Sequence, residues 1–431
     1  MKIPYCRFCF FAFMISVSLL FPSLALQAQS GSYVVSGKVI DAESRLPLMG
    51  ASVFAQNTTL GTVTNAEGEF RLLLPGGGYT IAVTFTGYET ENVRVNYSFM
   101  QNDSMVIEMR PQVQSMEEVS IAFTNEVRNG WEKYGAFFTD NFIGKSSFAK
   151  HCVIKNPEVL KFYFSKRKNQ LKVITAEPLI VENFALGYTI QFAIDSFTND
   201  YNTNTSLFII HPLFTEMVGT DEQVKEWEIN RMIAYKGSLL HFMRSLYDQR
   251  LQPEGFELQF IVKNNGTEYP IPLQNVYGAL NFRKDDSSGV VEFRPNQRDM
   301  ALIFYKGKPE AAYLANDSTI KKDFQLSTLT FPNGEYVNVE RNGYFYDQQG
   351  IITNGYLAYK KIGDLLPYDY LLEKEEPLIT DSISDFELPD FNKPFQFPGS
   401  IPSTPIPDTV PLSTLPDSIP QRQIPDSLLF N

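Results

Sequence analysis

The chain has 431 residues, more than one hydrophobic core usually spans, so two or three folded units are expected. Its residues are 43% apolar and 14% aromatic, enough for real cores, and a net charge of −12 makes a phosphate backbone an unsuitable partner, which excludes nucleic-acid binding. The chain opens with "MKIPYCRFCFFAFMISVSLLFPSLALQAQ". Lys2 and Arg7 precede an apolar run from Phe8 to Phe21, and small residues follow around Ala25 and Ala28. This is the pattern of a secretion signal over residues 1–28, with an uncleaved anchor as the alternative. The run is short for a membrane span. Cys6 and Cys9 do not stand where a lipidated cysteine would, so no lipoprotein is expected. Beyond the leader only Cys152 remains, so the exported part folds without an internal disulfide.

From Ser32 the text alternates apolar and polar residues with period two, broken by Gly, Pro, Asn and Asp. Val35, Gly37 and Val39 alternate with Ser36, Lys38 and Ile40, and Ile81 and Val83 alternate with smaller neighbours. Short strands with frequent turns predict a β-sandwich over residues 30–112. In "NAEGEF", Asn65 opens a hairpin turn and Gly68 supplies the positive φ. "PGGGY" is a second turn, and "TGY", with Gly87 at its centre, ends a strand.

The stretches "SGKVID", "LPLMGASV", "GTVTNAEGEF" and "YTIAVTFTGYE" follow one another as in the carboxypeptidase regulatory-like domain. The unit from 32 to 110 resembles that small transthyretin-like sandwich, with Asn65 where the family often has Asp. The resemblance implies an accessory role in folding or docking, beside catalytic domains or at the front of outer-membrane uptake receptors. A zinc carboxypeptidase is argued against by the residues themselves. The chain has His151, His211 and His241, none with a Glu three positions on, and no HExxH.

A second, α+β domain is expected over residues 120–372. Val127, Trp131, Tyr134 and Phe138 stand at helical spacing. "SKRKNQ" reads as a hairpin tip, so the basic Lys166, Arg167 and Lys168 are expected in solvent. Thr220 and Gln223 fit a capping box, Val224, Trp227, Met232 and Tyr235 supply an apolar face, and Ser238 caps a second helix ended by Pro253 and Gly255. Strands dominate to about Tyr370. "RNGYFYDQQG", from Arg341 to Gly350, is the expected exposed aromatic turn. The stretches "NPEVLKFYFSKRKNQLKV", "EPLIVENFALGYTIQF", "YKGSLLHFMRSLYDQRL" and "LPYDY" resemble a family often fused to that sandwich in envelope proteins, which adds fold identity and no mechanism.

Ser238 and His241 lie one helical turn apart, but no orienting carboxylate, oxyanion hole or GxSxG accompanies them, so a cap and a packed histidine are expected. His151 and Cys152 are adjacent, and neighbours in a strand face opposite ways, which disfavours shared ligation. Asp285-Asp286 read as a polar turn and Glu373, Glu375 and Glu376 as a solvated run. No catalytic, cofactor or metal site is expected.

The tail, 373–431, holds 11 of the 26 prolines and is expected to be disordered. Pro398, Pro407, Pro416 and Pro425 are nine residues apart, each behind Phe, Ile or Leu. Nine residues make three polyproline turns, so each copy returns its apolar residue to one side. A spacer, a docking strip for a repeated groove and an idle tail remain open. The leading reading is a non-enzymatic exported envelope scaffold or binding protein, in the periplasm or peripheral at the outer membrane, with an envelope protein or cell-wall component as partner. A hydrolase on envelope glycan or peptide and a carbohydrate-binding module are the rivals.

Overall fold

The computed structural model describes residues 32–96, 104–112 and 126–372, apart from 176, 204, 265–266, 286–287, 316–322 and 347–349. The leader, the connector before Glu126 and the tail prolines Pro398, Pro407, Pro416 and Pro425 lie outside the described residues.

The N-terminal part is a sandwich of β1 (Tyr33–Asp41), β2 (Ser52–Ala55), β3 (Gly61–Val63), β4 (Glu69–Leu74), β5 (Tyr79–Thr84), β6 (Glu91–Val95) and β7 (Met105–Met109). One sheet has the order β4-β1-β7, with β7 parallel to β1, and the other β3-β2-β5-β6. The period-two text becomes two faces. In β4, Phe70, Leu72 and Leu74 enter the core while Glu69, Arg71 and Leu73 face water. Val39, Val53, Ile81 and Val83 are fully buried between the sheets. Each such side chain contributes roughly 1.5–3 kcal/mol by burial. In the β3–β4 turn the Asn65 side chain accepts the amides of Glu67 and Glu69 at 3.1 and 2.8 Å. Gly68 there has φ 75°, and a Cβ would strike the Val39 carbonyl. Gly87 has φ 83° in the turn after β5, where Tyr88 N–H donates to Phe85 O.

The next layer opens with α1 (Gly130–Phe142) and continues with β8 (Cys152–Ile154), β9 (Leu160–Ser165), β10 (Gln170–Thr175), β11 (Leu179–Asn183), β12 (Tyr188–Asp200) and β13 (Thr205–Glu216). The helix buries Phe138 and Phe142, whose rings lie 4.9 Å apart and meet Phe197 and Phe192 edge-on at 5.2 and 5.3 Å. Val127 precedes the helix, so the buried stripe is carried one turn further than its spacing suggests, by Phe142. Lys166, Arg167 and Lys168 occupy the exposed β9–β10 tip. The long β12 pairs β13 along its length on one side. On the other side its first half pairs β11 and its second half β10. At that change of partner the register slips, and Asp195 is the extra, unpaired residue of a β-bulge.

Then come α2 (Asp221–Tyr235), α3 (Leu239–Tyr247) and the short α4 (Leu251–Glu254). The Thr220/Gln223 capping box is complete, and Ser238 Oγ accepts the His241 amide at 3.1 Å. Trp227 and Tyr235 are buried, whereas Val224 is 38% exposed, because α2 lies on the sheet by its Trp227–Asn230 side. Pro253 does not end the helix. The chain breaks earlier, where Gln249 takes φ 55°, and Pro253 sits within α4, a position that needs no intrahelical donor.

The remaining strands are β14 (Phe256–Asn264), β15 (Thr267–Pro272), β16 (Arg283–Lys284), β17 (Val291–Phe293), β18 (Asp299–Phe304), β19 (Gln325–Thr330), β20 (Val337–Val339) and β21 (Ile352–Gly355). They form an antiparallel sheet of order β15-β14-β18-β19-β21 and a small one of order β16-β17-β20. Phe242, Met243 and Leu246 of α3 pack on Leu258, Met300, Leu302 and Leu329 in one core. The fold is α+β and rich in strands, with a β-sandwich at its N-terminus.

Candidate functional site

The seam between the sandwich and the rest of the fold gathers the unusual chemistry. The loop after β2 carries Gln56, Asn57, Thr58 and Thr59. Asn57 takes φ 57°, which turns the loop onto the open edge of β13. Asn57 N–H donates to Pro212 O at 2.8 Å, and Phe214 N–H to Thr58 O at 2.9 Å, so Thr58 bridges Leu213 as a one-residue parallel strand. The other side of the loop is held by residues 366–370, the "LPYDY" stretch. Tyr368 N–H donates to Asn57 O at 2.7 Å. The Asp369 carboxylate accepts Thr59 N–H at 3.0 Å and the Thr59 hydroxyl. Arg244 of α3 fixes this strap by donating to Tyr368 O at 3.0 Å and to Asn342 O at 2.9 Å.

A second contact overturns the expected exposed aromatic turn. Tyr344 and Phe345 are each only 5% exposed, Tyr344 because the sandwich covers it and Phe345 because it points into the core beneath α3. The Tyr344 hydroxyl shares a 2.6 Å hydrogen bond with Thr80 of β5, and Arg94 of β6 lies over the Tyr346 ring. Tyr346 O–H donates to the buried Glu340. Gly78 passes so close that a Cβ there would stand 2.7 Å from Glu340 Cδ.

Where the two layers part, they leave an open cleft of about 400 Å³. From the sandwich come hydroxyls of Ser52, Thr84, Thr86 and Thr90, the Glu89 carboxylate, and the rings of Phe85 and Tyr88, tilted at 54° with centroids 5.4 Å apart. From the other side come Thr175, Glu177 and the bulged Asp195. Asp195 is held from behind. His211, whose side chain is 5% exposed, donates from Nε2 to Asp195 Oδ2 at 2.8 Å. Gln56 Nε2 reaches both His211 Nδ1 and Ile210 O, the latter at 3.2 Å. Only a donor can serve that carbonyl, so the Gln56 amide N–H points to Ile210 O and the same nitrogen stands against Nδ1. The relay Gln56–His211–Asp195 therefore crosses the seam and holds the carboxylate of a residue that lines the cleft. Tyr88 O–H is drawn to Asp41 at 2.8 Å. Amides and hydroxyls around Asp41, that of Ser44 first, hold its carboxyl down at about 2.

Of the residues singled out from the sequence, His211 stands behind the cleft and Gly87 lies in the turn between its Thr86 and Tyr88, while the others lie elsewhere. Asn65, Gly68 and Gly87 shape turns of the sandwich. Ser238 Oγ bonds the His241 amide, not its ring. The imidazole accepts Gly237 N–H on Nδ1 and faces Glu254 at 3.5 Å, and burial pushes its pKa down to about 4. Burial likewise pushes the Cys152 thiol up to about 12, and that thiol donates to Phe148 O. Among the described residues no group of three or more His, Cys, Asp or Glu side chains gathers as a metal site. Asp195 and His211 escape sequence reasoning because the bulge that sets them side by side leaves no local pattern. The hairpin turn between β12 and β13 was the available signal, since it places residues 16 apart across the ladder from each other.

Residues 35–121 match the family described as CarboxypepD_reg-like domain, and the sandwich is a domain of that kind. TonB-dependent receptor P39 of Formosa agariphila is 27% identical over 116 residues, which make 27% of this chain and 10% of the receptor. The chain thus matches about a tenth of that relative's length. A 9R-lipoxygenase from Cyanothece PCC8801 aligns over 50% of this chain and 48% of its own, with 6% identity and a TM-score of 0.12, a likeness that carries no argument. The domain and the receptor segment fit an envelope-associated protein, and neither comes from a catalytic family.

Proposed function

We propose that this is a non-enzymatic, exported binding or scaffold protein of the cell envelope, periplasmic or attached at the outer membrane. The observation that carries the reading is the double grip on the Gln56–Thr59 loop, by β13 on one side and the 366–370 strap on the other. A sandwich held in this way is a fixed part of one binding body rather than a swinging accessory. Its docking capacity is spent within the chain, and partner recognition falls to the seam and to the tail. The nine-residue repeat begins, in sequence, soon after the strap, as a spacer or partner strip would. The regulatory-like domain and the receptor likeness support the envelope location.

The test is cross-linked recovery of partners from whole envelopes with the full chain and with a chain stopped after Asp385. A partner recovered only with the tail makes the repeat a docking strip. The same partner with both forms moves recognition to the folded body. Recovery of nothing by either form, with turnover of envelope glycan or peptide by the purified chain, refutes the reading in favour of a hydrolase.

A further inference from the structure

We propose that the seam cleft is a binding site for a neutral saccharide, with Asp195 as its central acceptor. The proposal deepens the binding reading above and rests on it. Three features of the cleft select the ligand class. The first is charge. Asp195, Glu89 and Glu177 line it, and among the described residues no Lys, Arg or His does, so phosphate, sulfate and uronate are repelled. The second is the balance of donors and acceptors. The carboxylates only accept, while the hydroxyls of Thr84, Thr86 and Thr175 also donate. A bare cation could not use those donors, whereas sugar alcohols give and receive at every position. The third is the tilted Phe85–Tyr88 pair, half-buried against the sandwich core and lining the cleft, whose remaining ring edge can meet the C–H face of a pyranose. The volume of about 400 Å³ lies at the small end of ligand pockets, roughly 300–1,000 Å³.

The relay behind Asp195 is what makes this a built site. A surface carboxylate needs no fixed orientation, yet here a bulge displaces Asp195 from the ladder, and a buried histidine, itself held by Gln56, fixes its Oδ2. Oδ1 has no partner among the described residues and is left to accept a ligand hydroxyl. Hydrogen bonds from sugar hydroxyls to an ionised, pre-oriented acceptor are the strong kind. Because Gln56 belongs to the sandwich and Asp195 to the sheet beyond, the site exists only when the two layers are docked.

The experiment is calorimetric titration of the full chain with cellobiose, maltose and N,N′-diacetylchitobiose, with trilysine and a sulfated disaccharide as controls. At least one neutral disaccharide is expected to bind saturably at about 1 mM or tighter. Asp195→Asn and Glu177→Gln should each weaken it about tenfold or more. Lys166→Ala, at the far end of β10 from Thr175, should leave it unchanged. Should Asp195→Asn not fold, judged by its thermal transition, Glu177→Gln and Thr84→Ala carry the comparison. The proposal is overturned if no neutral disaccharide saturates, if the cleft variants bind as well as the parent, or if only trilysine binds. Recovery of an envelope partner by a chain that ignores all three sugars would sink the cleft alone and leave the scaffold reading intact.

Discussion

Replacing Gly78 by alanine probes how tightly the seam is packed. Gly78 does not occupy the left-handed region, so alanine meets no backbone strain and its cost is steric. The new Cβ would stand 2.7 Å from Glu340 Cδ, and Glu340 is 3% exposed with its carboxylate on the Tyr346 hydroxyl. Overpacking costs about 1–3 kcal/mol, and moving the carboxylate off its hydroxyl donor adds to this, so Gly78→Ala should lose about 2–4 kcal/mol. Glu340→Ala removes both the obstacle and the hydrogen bond and should lose about 1–3 kcal/mol by itself. The double variant should be no less stable than Glu340→Ala to within about 0.5 kcal/mol. Urea unfolding of the four proteins, followed by tyrosine and tryptophan fluorescence, gives the cycle. If Gly78→Ala costs the same whether or not Glu340 is present, the glycine is not required by the seam and the argument fails.

Asp369→Ala should free the strap from Thr59, lowering stability by about 1.5–3 kcal/mol and exposing the 366–370 segment to limited proteolysis. An unchanged cleavage pattern would count against the clasp. Asp364 is buried with Lys360 3.9 Å away, and among the described residues neither of its oxygens has a hydrogen bond of ordinary geometry, with the Ser146 hydroxyl and Lys361 amide only nearby. Burial pushes its carboxyl up from 3.8 to about 6, against the pull of Lys360. Between those values the folded chain keeps a proton that the unfolded chain has lost, so stability should fall as pH rises through the window, by about 3 kcal/mol. Asp364→Asn should flatten that slope in chemical unfolding measured from pH 4 to 7. Ser238→Ala should cost about 1 kcal/mol through the lost cap and leave any hydrolytic rate at background, whereas an activity abolished by the substitution would revive the Ser–His pair. Cys152 should react slowly with a thiol reagent at pH 8 until the chain is unfolded, because its thiol is held near 12.

What could be read ahead of the structure was local. Asn65 and Gly68 act within five residues, the Thr220–Gln223 box within four, and the alternation of β4 within one strand. These are decided by backbone sterics and by side chains that reach their own neighbours, so the text holds both partners together. Even here the tertiary fold intervened. Val224 fits the apolar pattern of α2 and still faces water, and the aromatic-rich turn at Tyr344 looked exposed only because its cover is supplied by β5.

By itself, then, the sequence determined the sandwich, the caps and the hairpin tips. Tertiary structure alone decided the seam. Thr59 and Asp369 are 310 residues apart, Gln56 and His211 155, and Thr80 and Tyr344 264. The bareness of Gly78 is explained by a glutamate from another layer, and the position of Asp195 by one extra residue in a ladder. Contacts of this kind leave no periodicity, because each depends on where two independently patterned surfaces happen to fit, and shape complementarity between surfaces is not written in the order of either one.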